Sequence, residues 1–115
     1  MELTTLPYDR AKVLENFGGD EALLGEVAAL FIAAWPENLA RLRAALAAAD
    51  AEALRGAAHA VKGSVANFCA DRAVQAARQL EMTGRAGDLD QAAAQFEDVV
   101  ARVEEVIAAL EPQRA

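Results

Sequence analysis

Histidine occurs once in this chain, cysteine once and proline three times, and aromatic residues make up only 5% of it. Each scarcity removes a class of answer. A lone cysteine, Cys69, cannot close an intrachain disulfide, so the chain is not a stapled secreted scaffold, and a reducing cytoplasm suits it. One histidine and one cysteine do not make a structural zinc set, and no acidic cluster with ligand spacing replaces them. The shortage of aromatic and β-branched residues argues against a sheet. Positive charge is also short: 11 Lys and Arg stand against 18 Asp and Glu, a net charge of -7. That sign disfavours a nucleic-acid backbone or an anionic membrane as the main partner. No apolar run approaches the ~20 residues that span a bilayer, and no basic-then-apolar leader is seen, so a cytoplasmic protein is expected. A P-loop, a glycine-rich nucleotide loop and a nucleophile-elbow motif are missing too, which leaves neither ATP chemistry nor a triad hydrolase indicated.

What the sequence does hold is alanine, a large part of its 55% apolar content and the best helix former. Asp9, Asp20, Asp50, Asp71 and Asp88 each precede an apolar-periodic stretch, where a short carboxylate can accept from the free N–H groups of a first helical turn. They predict a short helix over 9–17, stopped by Gly18 and Gly19, and long helices over 20–48, 50–68, 71–85 and 88–110. In the first long stretch Leu23, Val27, Leu30, Phe31 and Ala34 fall at helical spacing. Pro36 then predicts a kink or a restart. In the second, Leu54, Ala58, Val61, Val65 and Phe68 form an inward stripe. The third is expected to run toward Gly84. Short connections imply antiparallel neighbours, so the fold class is all-α: one domain over 1–115, an up-and-down four-helix bundle with an extra N-terminal helix.

His59 lies roughly 140° around its helix from the centre of that stripe, on the solvent side. Its neighbours on the outer face, at helical spacing, are Arg55, Gly56, Lys62, Gly63 and Ala66. Two are cationic and three have little or no side chain. A helix-interior glycine costs up to ~1 kcal/mol relative to alanine, so two on the histidine face point to a close approach by something else. An imidazole is substantially neutral near physiological pH, and a ring nitrogen can act as a nucleophile without a base. Lys62 at i+3 would offset charge on an attached anion, with Arg55 one turn earlier in a supporting position. The bland alternative is a helical interaction module on which His59 is incidental.

The stretch "HAVKGSVANFCA" resembles the signature of histidine-containing phosphotransfer (HPt) domains of bacterial phosphorelays: a histidine, two residues, Lys-Gly-Ser, then small residues, an apolar residue, usually a glycine, and a small or apolar residue. His59, Lys62, Gly63, Ser64, Phe68 and Ala70 fit. "FGGDEALLGEVAALFIAAWPENLARLRAAL" before it and "GDLDQAAAQFE" after it look like the family's flanking helices. A histidine-kinase dimerisation helix fits less well, because Ala60 and Val61 stand where that family has an acidic residue and its followers. The resemblance implies that His59 accepts a phosphoryl group from one receiver-domain aspartate and passes it to another. It gives Lys62 the role of stabilising the phosphate, Gly63 that of clearing space for the receiver, and Ser64 that of a supporting polar group. A polar residue on the next helix, Glu81 or Gln79, would orient the histidine. The implied partners are response-regulator receivers and a hybrid sensor kinase. The carrier is expected to be a monomer without a cofactor or kinase site of its own, Mg2+ being brought by the receiver. Cys69 departs from the usual glycine, and the helix end is expected to adjust around it, since φ > 0 is costly for cysteine.

Overall fold

The structure, a computed structural model, describes residues 6–114; residues 1–5 and 115 of the expected domain lie outside the described residues. It contains α1 (Arg10–Asn16), α2 (Glu21–Ala47), α3 (Ala51–Ala66), α4 (Asp71–Ala86) and α5 (Ala92–Leu110), followed by a 3-10 turn (Glu111–Gln113). Helix α2 packs on α3, α3 on α4, α4 on α5, and α5 returns to α2, with α1 laid against α2. This is the all-α bundle with a short extra helix expected from the periodicity.

Three of the five aspartates act as helix caps. Asp9, Asp20 and Asp50 accept from Lys12 N, Leu23 N and Ala53 N, each at 3.0 Å, satisfying amides that have no partner within the helix. Asp71 is instead the first residue of α4, behind Ala70, which offers no side-chain cap. Asp88 closes a local turn by accepting from Asp90 N at 3.1 Å. Helix α5 therefore begins at Ala92, four residues later than expected: the αL residue Gly87, with φ 80°, and the packing of Leu89 against the core hold the chain in a loop first. Helix α4 continues to Ala86, one residue past the expected end. Helix α2 runs unbroken across Pro36, so no restart occurs there. By length and composition α2 is also apolar enough to cross a membrane, with a stretch of mean hydropathy 1.2, which amends the expectation of no such run. Its role here is that of a bundle helix. Leu24, Ala28, Phe31, Trp35, Leu42 and Ala45 are buried, while alanines such as Ala33, Ala34, Ala40 and Ala44 supply hydropathy on the outer side.

The predicted inward stripe of the second long stretch holds, with Leu54, Ala58, Val65 and Phe68 fully buried; in α2 the set spaced from Leu23 does not, since Leu23, Leu30 and Ala34 are exposed and the core face is that of Leu24, Ala28, Phe31 and Trp35. The Phe68 ring meets Tyr8 edge-on at 6.4 Å and Phe31 at 5.2 Å, tying the chain entry, α2 and the α3–α4 turn together. At that turn Cys69 adopts φ 53°, so the backbone keeps the left-handed conformation rather than adjusting away from it. The turn is fixed by Cys69 N donating to Ala66 O at 3.1 Å and Ala70 N to Val65 O at 3.4 Å. Both flanking residues, Phe68 and Ala70, are fully buried. A left-handed non-glycine residue costs roughly 1–2 kcal/mol, which packing on both sides of Cys69 offsets.

Helices α3 and α4 pack on each other more extensively than any other pair, and Gly84 permits their close approach. A Cβ there would stand 2.7 Å from Arg55 N and 2.9 Å from Ala51 O, both backbone atoms that cannot step aside. At Gly63 a Cβ would meet nothing within 4 Å. The same substitution should therefore act with opposite sign at the two sites. Gly84→Ala should destabilise by about 1–3 kcal/mol through overpacking, and Gly63→Ala should stabilise by up to about 1 kcal/mol, as read from urea unfolding midpoints.

Candidate functional site

The close approach of α3 and α4 places Glu81 against the base of His59. Glu81 is the one buried charged residue among those described, with 4% of its surface exposed. Each of its carboxylate oxygens has its own partner: Oε2 lies 2.7 Å from His59 Nδ1 and Oε1 lies 2.6 Å from Lys62 Nζ. The hydrogen bond from Lys62 is the main influence holding the Glu81 carboxyl below the usual carboxylate range. Burial opposes it, and the bond from His59 adds to it. An ionised carboxylate can only accept, so Nδ1 of His59 must carry the hydrogen that lies between the two. In the neutral ring the lone pair is then on Nε2, which has no partner among the described residues. The His59 side chain is 65% exposed. The result is an oriented, solvent-facing imidazole whose inner edge rests on a fixed negative charge.

The surroundings are low. Gly56 and Gly63 are exposed, and a Cβ on either would enter open space. Ala60 and Ala66 are exposed beside them, so the outer face of α3 has little relief other than His59. Nothing encloses the ring. Among the described residues no group of three or more His, Cys, Asp or Glu side chains converges as a metal site.

The other candidates separate. Arg55 turns to Glu52, with which it is hydrogen bonded and ion paired. That contact, foremost its hydrogen bond, raises the Arg55 pKa and lowers that of Glu52, so Arg55 supports the α3 surface instead of reaching His59. Ser64 does not join the site network: its hydroxyl donates to Ala60 O at 3.1 Å within its own helix, the local bond open to a helical serine. Gln79 is exposed on the far side of α4, lining a groove with Arg72, Asp98 and Arg102 whose rim Arg78 also reaches. Of the two residues expected to orient His59, Glu81 makes the contact. Lys62 is engaged with Glu81 rather than free, a pairing that spacing along one helix could not reveal. Gly84, which allows the approach, was legible only as a small residue on the inward face of α4, beside Ala77 and Leu80.

Comparison with known proteins gives a family and a similar fold. The family model described as Hpt domain matches residues 26–111. Histidine-containing phosphotransfer protein B (HptB) from Pseudomonas aeruginosa PAO1 has a similar crystal structure, with a TM-score of 0.87 and 28% sequence identity over 96% of each chain. No curated protein sequence matches.

The depressed Glu81 pKa has a signed consequence for stability. A carboxyl whose folded-state pKa lies below its unfolded value stabilises the fold fully above the unfolded value of about 4, and that contribution is lost as pH falls through the lowered folded value. Glu81→Gln removes the titrating group. Its stability should be lower than the parent's by about 1–3 kcal/mol at neutral pH, and the difference should shrink on acidification. Urea unfolding at a series of pH values measures both; a constant difference down to strong acid would contradict the pairing.

Proposed function

The chain belongs to the Hpt domain family and is a histidine phosphotransfer intermediate of a phosphorelay; we propose that His59 is its phosphoacceptor and that Nε2 is the reacting atom. The observation that carries this reading is the Glu81 carboxylate, buried and hydrogen bonded to Nδ1 of an exposed imidazole. An incidental surface histidine does not need a buried charge aimed at its inner edge.

The chemistry follows from the tautomer. The Nε2 lone pair attacks the phosphorus of a receiver's aspartyl phosphate, the new N–P bond forms, and the P–O bond to the aspartate carboxylate breaks, releasing that carboxylate. Because Nδ1 keeps its hydrogen, the ring becomes an N-phosphorylated imidazolium, and its positive charge lies against Glu81. In the onward step an aspartate oxygen of a second receiver attacks the same phosphorus, the N–P bond breaks, and the ring leaves as neutral imidazole. No proton has to move in either direction. Lys62 has two further N–H donors beyond the one given to Glu81, and in this reading they face the phosphoryl oxygens. Gly63 and Gly56 keep the approach to the ring low, so that a receiver can bring its aspartate in line. Ser64 has no part beyond its own helix.

The receiver, in this proposal, supplies the Mg2+ and the acidic pocket, and a hybrid sensor kinase or a free regulator supplies the receiver. The carrier works as a cytoplasmic monomer and draws no phosphate from ATP by itself. His59→Gln should abolish acid-labile labelling by a phosphorylated receiver while changing stability by no more than about 0.5 kcal/mol, as expected at an exposed site. Undiminished labelling of that variant, or labelling by ATP and Mg2+ alone in kinase-free preparations, would contradict the assignment. Gly63→Gln should leave the fold intact and slow transfer by obstructing the approach, which separate measurements of transfer rate and unfolding midpoint resolve.

A further inference from the structure

Eleven Lys and Arg side chains are present, and among the described residues six of them are ion paired: Arg10, Arg41, Arg55, Lys62, Arg102 and Arg114. Of the five that are not, three lie on α4: Arg72, Arg78 and Arg85. Arg78 and Arg85 are unpaired for a structural reason. Glu81 stands three residues after one and four before the other, the spacing of a helical ion pair, but its carboxylate is buried and turned toward α3, where it bonds His59 and Lys62. Both arginines are left exposed in a chain of net charge -7. Between them lies Met82, 59% exposed and among the few large apolar side chains open to solvent.

These three residues share one side of α4. At the helical turn angle, Arg85, Arg78 and Met82 lie roughly 40°, 60° and 100° around from Glu81. Buried Ala77, Leu80 and Gly84 lie around the other way. Arg78 and Arg85 are about 10 Å apart along the axis, and Glu81 stands midway, level with His59. The strip therefore starts at the edge of the imidazole and runs outward over α4, opposite the glycine-lowered side of α3. A domain that places an aspartate over His59 has to cover ground on one side or the other.

We propose that Arg78, Met82 and Arg85 form a docking strip beside His59 that binds an acidic surface of the receiver domain, its carboxylates meeting the two arginines and an apolar spot receiving Met82. The proposal rests on the assignment of His59 above and adds the chemistry that selects the partner. Two unpaired guanidiniums flanking an exposed thioether suit carboxylates, which they bind bidentately, and methionine adapts to different apolar surfaces. The overall negative charge of the chain works against nucleic acid and against a broadly acidic partner, so the attraction has to be local to this strip. Exposed arginines at a rim act chiefly on the rate of encounter, and that effect is screened by salt.

The test separates loading of His59 from docking. Phosphoramidate, a small phosphoryl donor that requires no docking surface, is used to label the parent, Arg78→Glu/Arg85→Glu, Arg78→Gln/Arg85→Gln and Met82→Ala. Transfer is then followed to the receiver domain that the parent serves fastest. Equal loading is expected in all four, with transfer from the double glutamate variant slowed about tenfold or more at low salt, the double glutamine variant intermediate, and the parental rate alone falling steeply as salt is raised. Met82→Ala should weaken receiver affinity severalfold with little change in salt dependence. Transfer by the double glutamate variant within twofold of the parent would overturn the strip. So would impaired loading by phosphoramidate, which would place the arginines on the phosphoryl group instead of on the partner. A parent that takes no label at His59 would overturn the underlying assignment as well, an outcome distinct from the other two.

Discussion

A carboxylate buried between helices has to be answered by donors, and the arrangement of this protein around Glu81 follows from that demand. Desolvating an ionised carboxyl without partners costs far more than a bundle of this size can absorb. Lys62 and His59 supply one donor to each oxygen, and both come from α3, so α3 and α4 must approach closely and in one register. Gly84 permits the approach, because a methyl group there would run into the backbone of α3. Packing at Gly84 and polar satisfaction at Glu81 thus specify the same helix pairing. The imidazole inherits its tautomer from that pairing, and the arginines on either side of Glu81 inherit their lack of a partner.

Lys62 therefore stands in two relations at once. It is the main influence that lowers the Glu81 pKa, and it shares that carboxylate with the ring. Removing it would take a positive charge from the neighbourhood of the proposed phosphoryl group and would also leave a buried oxygen unanswered. A loss of activity in Lys62 variants combines these effects, and only a parallel measurement of stability separates them. His59 differs in this respect. It is largely exposed, and the bond it gives Glu81 is the lesser of the two.

Much of this was legible in the sequence, and the parts that were not share a cause. Helical periodicity placed His59 outside and Leu54, Ala58, Val61 and Val65 inside, because both depend only on the turn angle of one helix. Three capping aspartates were legible for the same reason, their bonds spanning three residues. Asp88 misled because a loop aspartate and a capping aspartate look alike until Gly87 and Leu89 fix the path of the chain. Ser64 belongs to the matching signature, yet its hydroxyl has a carbonyl of its own helix within reach. The contacts that define the site, Glu81 with His59, Glu81 with Lys62 and Gly84 with Arg55, all cross from one helix to another, and no spacing within either helix encodes them. Cys69 is the reverse case: the sequence flagged the residue as unsuited to a left-handed turn, and the turn formed regardless, held by the burial of Phe68 and Ala70.

The open face around His59 bears on the direction of signalling. Under the proposed assignment, His59 lies in no cavity among the described residues, and the ring and the strip beside it present one and the same surface to every receiver that docks there. In the mechanism proposed above, the proton stays on Nδ1, so loading from a receiver and return to that receiver are one reaction run forwards and backwards. Such a carrier has no built-in valve. Net flow through it is then governed by chemical potential, from whichever receiver pool is richer in aspartyl phosphate to whichever is poorer, and a phosphatase acting on one pool is enough to reverse it.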